Sequence, residues 1–456
     1  MGNISRRNVL KTGAVLAAGA AGMESNPRKA VAADRAGSKY NWGHTMDFGE
    51  QYFTRMLSII ENIKNNEMNL IGDISSRMAE AVKKGGNGFL HAQAGHMGYV
   101  EFLEGHKGNP RILKSSSSWD GSDYEIMKPG DVLVTNYVNE NVRKALDNGV
   151  YVVGVPVNYV DNEWAPRGFV SPNVNDWLLK DVSSVILQSY IPYHQGIVDC
   201  PEVPEMKICP SAANSLNTLF WMFQAEVANK VNNRKAQHYE MAGRVMDTIL
   251  DRIQEAYRLQ KDYIFDHAAT VAKKICDGAH YHTTSDHRGV QDESNGVAMG
   301  PMMTNAYRRW EPGTPYQYVQ AVEGQSDMKK GDVHLFATIE PDSPKILEEP
   351  KNAKDTGMFT VTIAPGNSHT LREFSDVFID NLSPEGGGLL KIDGIDENVA
   401  TVGGVLNNWL AWIFTAQFID EMVRRGSIPW FWLGWYQNGG REYDDAIRPF
   451  FLEQGF

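Results

Sequence analysis

Cysteine is scarce in this chain of 456 residues, with only Cys200, Cys209 and Cys276. Three cysteines cannot build the disulfide framework that staples small secreted folds, so a buried core must do that work. A single bridge between Cys200 and Cys209 across PEVPEMKI is compatible with the sequence, whose spacing does not fix its geometry. Basic charge is also in deficit, with 44 Lys and Arg against 56 Asp and Glu and a formal net charge of -12. A nucleic-acid or anionic-membrane partner would select a basic stripe, so neither is expected. The chain holds no G-x-G-x-x-G, Walker loop, G-x-S-x-G or C-x-x-C, which removes the usual signatures of nucleotide, serine-hydrolase and dithiol chemistry. Beyond the N-terminus no run is apolar and long enough to span a bilayer, and no Pro/Ser-rich linker divides the chain.

The N-terminus is a targeting segment. SRRNVLK at Ser5 to Lys11 carries paired arginines, the apolar TGAVLAAGAAGM follows, and AVAA at Ala30 to Ala33 suits cleavage. Residues 1–35 therefore read as a twin-arginine signal, with Val9 where an aromatic is common. Export of a folded protein to the periplasm or beyond is expected, with no membrane span in the mature chain.

Several landmarks occur twice. MKPGDVLV from Met127 recurs as MKKGDVHL from Met328, and NTLFWMFQAE from Asn217 as NWLAWIFTAQ from Asn408. LHAQAGHMGYVEF, with His91 and His96, is echoed by YHTTSDHRGVQDE, with His282 and His287 at the same spacing. Within each copy, helical periodicity alternates with short apolar strands such as GFLHAQA, GDVLVTNY and VYVVGVPVN. That alternation predicts an α/β fold of two tandem domains, each a parallel sheet with helices on both faces, related by a pseudo-twofold. The first domain is read as residues 40–240 and the second as 241–456, with the boundary inside a helix beginning near Ala236. Residues 160–205 do not recur and read as an elaborated loop region.

The order of these blocks, from AGHMGYVEFLEG through MKPGDVLVTNY to PSAANSLNTLFWMFQAEVANKV, resembles the sugar isomerase (SIS) family, in tandem form. The resemblance implies flavodoxin-like domains that hold a sugar where strand C-terminal ends meet helix N-termini, a place that suits ligands in any open parallel sheet. The family's phosphate cradle is a Ser-x-Ser-Gly loop. Here those positions read NYVNE, Asn136 to Glu140, and ATIEP, Ala337 to Pro341, without the hydroxyl pair and glycine. Glu140 and Glu340 would carry negative charge towards a phosphate, so an unphosphorylated sugar is expected. The Ser115 to Ser122 run reads as a plain loop.

Isomerisation or related elimination needs groups that move protons between adjacent carbons and sugar oxygens. His96 and Glu101, with His287 and Asp292 in the second copy, are the candidates for this work, imidazole being suited to proton transfer near neutrality. Asn136, Asn139, Thr338, Ser211, Asn214 and Ser215 are candidates for sugar hydroxyls, and Trp164 for a sugar face. Other readings stay open: a non-catalytic sugar-binding protein, or a metal-dependent enzyme using His91, His96, His282 and His287. No cofactor is expected, with a divalent metal as the alternative. Trp221 and Trp412 read as core, Glu226 has Gln417 at its matching position, and Trp430, Trp432, Trp435 and Tyr436 suggest a homodimer or domain interface.

Overall fold

The computed structural model describes residues 46–92, 107–116, 122–157, 178–192, 195–204, 206–285, 290, 298–308, 317–320, 328–341, 344–384, 387–434 and 440–456. The first half runs α1 (Phe48–Asn66), α2 (Met68–Lys83), β1 (Gly88–His91), β2 (Lys114–Ser116), α3 (Ser122–Glu125), β3 (Val132–Thr135), α4 (Glu140–Asp147), β4 (Tyr151–Gly154), β5 (Val185–Ile186), β6 (Gly196–Val198), β7 (Ile208–Pro210) and α5 (Ala212–Asn232). The second runs α6 (Glu240–Cys276), β8 (Tyr281–Ser285), β9 (Thr304–Arg308), β10 (Gln317–Gln320), β11 (Val333–Ala337), α7 (Pro344–Thr356), β12 (Phe359–Ala364), α8 (His369–Glu373), β13 (Val377–Asp380), α9 (Gly403–Arg424) and α10 (Gly440–Gln454).

Two sheets result, ordered β2-β1-β3-β4-β5 and β10-β9-β8-β11-β12-β13. Every pairing in the first is parallel, and the second departs from the expectation only at its edge, where β10 runs antiparallel to β9. Antiparallel edge strands on otherwise parallel sheets are common. The strands GFLH and VLVT are buried throughout, as both-faced coverage by helices requires. β6 and β7 form a separate two-stranded hairpin.

α1 and α2 follow one another with a break at Glu67. Phe48, Tyr52, Met56, Ile59, Ile60 and Ile63 recur at helical spacing and make the buried stripe of α1. The carboxylate of Glu67 accepts the Tyr190 hydroxyl at 3.0 Å, tying the break to the segment after β5. The chain between Asn232 and Glu240 is not helical, so the helix expected from near Ala236 begins at Glu240.

The halves repeat one another down to backbone hydrogen bonds. Asp131 accepts the Asn87 N–H at 2.8 Å and the Lys128 N–H at 2.9 Å; Asp332 accepts the His280 N–H and the Lys329 N–H, both at 2.9 Å. Beside each aspartate a glycine with positive φ, Gly130 at 89° and Gly331 at 94°, turns the chain into the strand. Their N–H groups reach Gly149 and Gly357 carbonyls, each at 3.0 Å.

The strand register corrects one inference from the sequence. Gly88 pairs with Val132 and Tyr281 with Val333, so the residue level with His282 is Phe89, and the one level with His91 is Thr284. His91 and His282 are displaced by two residues and do not stand at equivalent positions.

One hydrophobic cluster runs through both halves. At its centre α5 and α9 are buried around nearly their whole circumference, including Trp221 and Trp412 as expected. α5 packs on α2 and α6, and α9 on α6 and α1, so each crosses to the other half. Trp430 and Trp432 are buried too: their backbones bond residues 299–302, and Trp430 stacks on Phe450 with centroids 6.0 Å apart. These two tryptophans serve the chain's own packing, not an outward surface; Trp435 and Tyr436 lie outside the described residues.

Candidate functional site

In each sheet the strand order reverses once. After β1 the chain crosses to β2 on one side, whereas β3 leads to β4 on the other; β8 and β11 diverge in the same way. Loops leaving two such neighbours part from each other and open a crevice at the carboxyl ends of the strands, the usual ligand position in open α/β sheets.

His91, Thr135 and Asn136 form the lip of the first crevice, all buried. The His91 Nδ1 lies 2.8 Å from the Tyr124 hydroxyl, and its ring sits 5.1 Å and 5.0 Å from the rings of Tyr124 and Tyr137. Thr135 Oγ1 accepts the Tyr137 N–H at 3.0 Å, bending the chain away from the strand. Asn139 caps α4 by accepting the Val142 N–H at 3.0 Å, and Glu140 follows in the first turn, 3.6 Å from Lys144.

At the second crevice Thr338 Oγ1 accepts the Glu340 N–H at 3.0 Å, and its carbonyl accepts from Asn407 Nδ2 at 2.9 Å. Away from that crevice, within the sheet, Thr284 Oγ1 lies 2.8 Å from His334 Nε2, and His334 is level with His282 near the amino ends of the strands. Burial lowers the pKa of His334 to about 3, with His282 nearby adding to the shift. Burial also lowers His282 to about 4, against the opposing pull of Asp332. Both imidazoles are neutral at neutral pH.

The remaining candidates divide. Ser211, Asn214 and Ser215 are buried, and the helix begins at Ala212, so Asn214 and Ser215 sit inside its first turn. Ser211 Oγ donates to the Gln195 carbonyl at 2.8 Å, Asn214 Nδ2 to the Tyr52 hydroxyl at 2.9 Å, and Ser215 Oγ to the Ser189 carbonyl at 3.0 Å. All three have partners in the fold. His96 and Glu101, which follow β1 in the chain, His287 and Asp292, which follow β8, and Trp164 lie outside the described residues. His91 and His282, half of the four-histidine alternative, stand in different sheets, one on Tyr124 and the other 3.3 Å from Asp332. Cys200 and Cys209 are both buried, and burial first, then the neighbouring Cys200, holds the Cys209 thiol well above its ordinary pKa.

Sequence reasoning missed Tyr124, Tyr137 and Thr135. Thr135 was legible as the last strand residue before Asn136, but nothing local announces that the Tyr124 and Tyr137 rings converge on His91.

Among solved structures of similar fold is the C-terminal domain of glucosamine-fructose-6-phosphate aminotransferase from Francisella tularensis. It is 10% identical, with a TM-score of 0.41, covering 86% of this chain and 99% of that one. Another is tagatose-6-phosphate ketose/aldose isomerase from Escherichia coli, 9% identical with a TM-score of 0.43, covering 84% of this chain and 95% of that one. No curated protein matches the chain significantly. The family model of the twin-arginine translocation pathway signal sequence matches residues 3–22. Among the described residues no helix is long and apolar enough to cross a membrane. The chain carries a twin-arginine export signal ahead of a two-sheet parallel α/β fold.

Proposed function

We propose that this exported protein binds a sugar or carbohydrate derivative in the crevice between β1 and β3, and in its counterpart between β8 and β11, and acts on it by proton transfer as an isomerase or lyase. The observation that carries the reading is the reversal of strand order in both sheets, with hydroxyl and amide side chains, Thr135 and Asn136 or Thr338, at the crevice lips. Sugars are recognised by such groups at the rim of a concave site. His96 and Glu101, with His287 and Asp292, are assigned the proton transfers, and Trp164 a sugar face.

The substrate is unphosphorylated in this reading. Asn139 already occupies an N–H at the α4 N-terminus, and Glu140 follows it, so the position that would cradle a phosphate has one donor engaged and a carboxylate beside it. That same loss of the cradle supports a second reading, a sugar-binding protein without turnover.

Free and phosphorylated aldoses and ketoses incubated with the protein in deuterated water separate the two. The first reading expects proton exchange at the carbon next to the carbonyl, followed by NMR, and a loss of about 100-fold or more in His96→Ala and Glu101→Gln with calorimetric binding retained. Binding without exchange establishes the second reading. Neither binding nor exchange overturns both.

A further inference from the structure

The amino-terminal edge of the second sheet, opposite the crevices, holds a cluster of a different kind. His280 immediately precedes β8 and His282 is its second residue, and a separation of two along extended chain turns both side chains to the same face. Asp332 immediately precedes the adjacent strand β11, and the pairing of Tyr281 with Val333 sets it level with His280. His282 Nε2 lies 3.3 Å and His280 Nδ1 3.8 Å from Asp332 Oδ2, and one ligand atom from each residue lies within 4.8 Å of the others. His280 Nδ1 is buried and has no hydrogen-bond partner.

The first half supplies the contrast. Its aspartate, Asp131, makes the same two backbone bonds, but Asn87 and Phe89 stand where His280 and His282 do. There Asn87 Nδ2 donates to Asp131 Oδ2 at 3.4 Å, closing the carboxylate with an amide. Asp332 accepts one backbone N–H on each oxygen, and its Oδ2 also meets His282 Nε2, on a carboxylate facing two imidazoles. The shared aspartate is explained by the turn it organises. His282 meets that aspartate through Nε2, whereas His280 Nδ1 faces it without a hydrogen bond.

We propose that His280, His282 and Asp332 bind a divalent transition ion of the zinc type, joining β8 to β11 at the base of the second sheet. Two imidazole nitrogens and one carboxylate oxygen are zinc ligands, held at about 2.0 to 2.2 Å, which sets ligand atoms roughly 3.3 Å apart around a tetrahedral ion. The two distances to Asp332 approach that spacing. His280 is the partly exposed member, with 23% of its side chain accessible, while the side chain of His282 is fully buried. Hard ions such as magnesium and calcium prefer all-oxygen sites and are not expected here. This site is separate from the sugar crevices and does not depend on the function proposed for them.

The test is titration of the chelator-treated full chain with cobalt(II), read by visible absorption, followed by displacement with zinc. The expected result is one equivalent of cobalt in a tetrahedral spectrum, displaced by zinc, with zinc raising the melting temperature and magnesium leaving it unchanged. His280→Asn and His282→Phe restore the residues of the first half at the same register, so folding is expected to survive, as circular dichroism checks. Each should weaken binding by more than about 100-fold, the upper end of what even an outer-shell loss costs. Absence of a saturable site in the unaltered chain overturns the proposal, as does undiminished binding in both folded variants.

Discussion

Asp444 is a buried acid with two backbone donors and no cation described beside it: Leu433 N–H reaches Oδ1 at 2.8 Å and Gly434 N–H reaches Oδ2 at 3.3 Å. Burial dominates and raises its pKa from 3.8 to about 7, against the pull of those donors. A raised carboxyl pKa means the folded state holds a proton the unfolded chain has released. Its stabilisation is full below the unfolded pKa and is lost as pH rises through about 7. His282 and His334 have the opposite sign, since their lowered values make stability complete above about pH 6.5 and lose it as pH falls. Between about pH 5 and about pH 6, Asp444 therefore subtracts about 1.4 kcal/mol per pH unit from a slope that the histidines make positive. Urea unfolding across that range should show Asp444→Asn gaining stability with pH more steeply than the parent by this amount. Equal slopes would mean that Asp444 is ionised throughout.

Among the elements, α5 and α9 carry polar groups where a core helix would ordinarily have none, and each caps a helix of the other half. Glu226 on α5 accepts the Met241 and Ala242 N–H groups at 2.7 and 3.0 Å, at the start of α6. On α9, Gln417 accepts the Gly49 N–H at 3.3 Å and Asp420 the Phe48 N–H at 3.1 Å, at the start of α1. Helix starts leave unpaired N–H donors, and burying them without partners is costly. The match between Glu226 and Gln417, visible in the sequence as an asymmetry, is a shared capping position. Glu226→Ala should cost about 2 to 3 kcal/mol and speed hydrogen exchange at Met241 and Ala242. Glu226→Gln should cost less, since Gln417 shows that an amide serves there. Equal losses in the two variants would point to the ion pair with Lys230, 3.4 Å away, as the main contribution.

At the scale of the whole molecule the halves are interleaved. Asn408 on α9 donates to Asn214 on α5 at 3.1 Å, Asn214 donates to the Tyr52 hydroxyl at 2.9 Å, and Tyr52 donates to the Pro210 carbonyl at 2.9 Å. This buried relay crosses from the second half to the first and ends at the β6–β7 hairpin. Either half alone would expose the faces of α5 or α9 that pack across the centre, together with their polar groups. Fragments 46–232 and 240–456 should therefore fail to fold separately and form a one-to-one complex when produced together, judged by circular dichroism and size-exclusion chromatography. Two independently folded fragments would contradict this account.

Much of the molecule was legible locally. The twin-arginine segment, the alternation of helix and strand, the Gly-Asp-Val strand starts and the buried Trp-centred helices depend on short-range spacing, which a sequence displays directly. Strand order and register did not follow, because they pair residues about forty or fifty positions apart, such as Phe89 with Leu133 and His282 with His334. That register separated His91 from His282 and brought His280, His282 and Asp332 together. Likewise the buried partners of Ser211, Asn214 and Ser215 come from tertiary packing that spacing does not display. Residue type and spacing settle which chemistry a side chain offers; long-range packing decides whether the fold uses that chemistry or leaves it for a ligand.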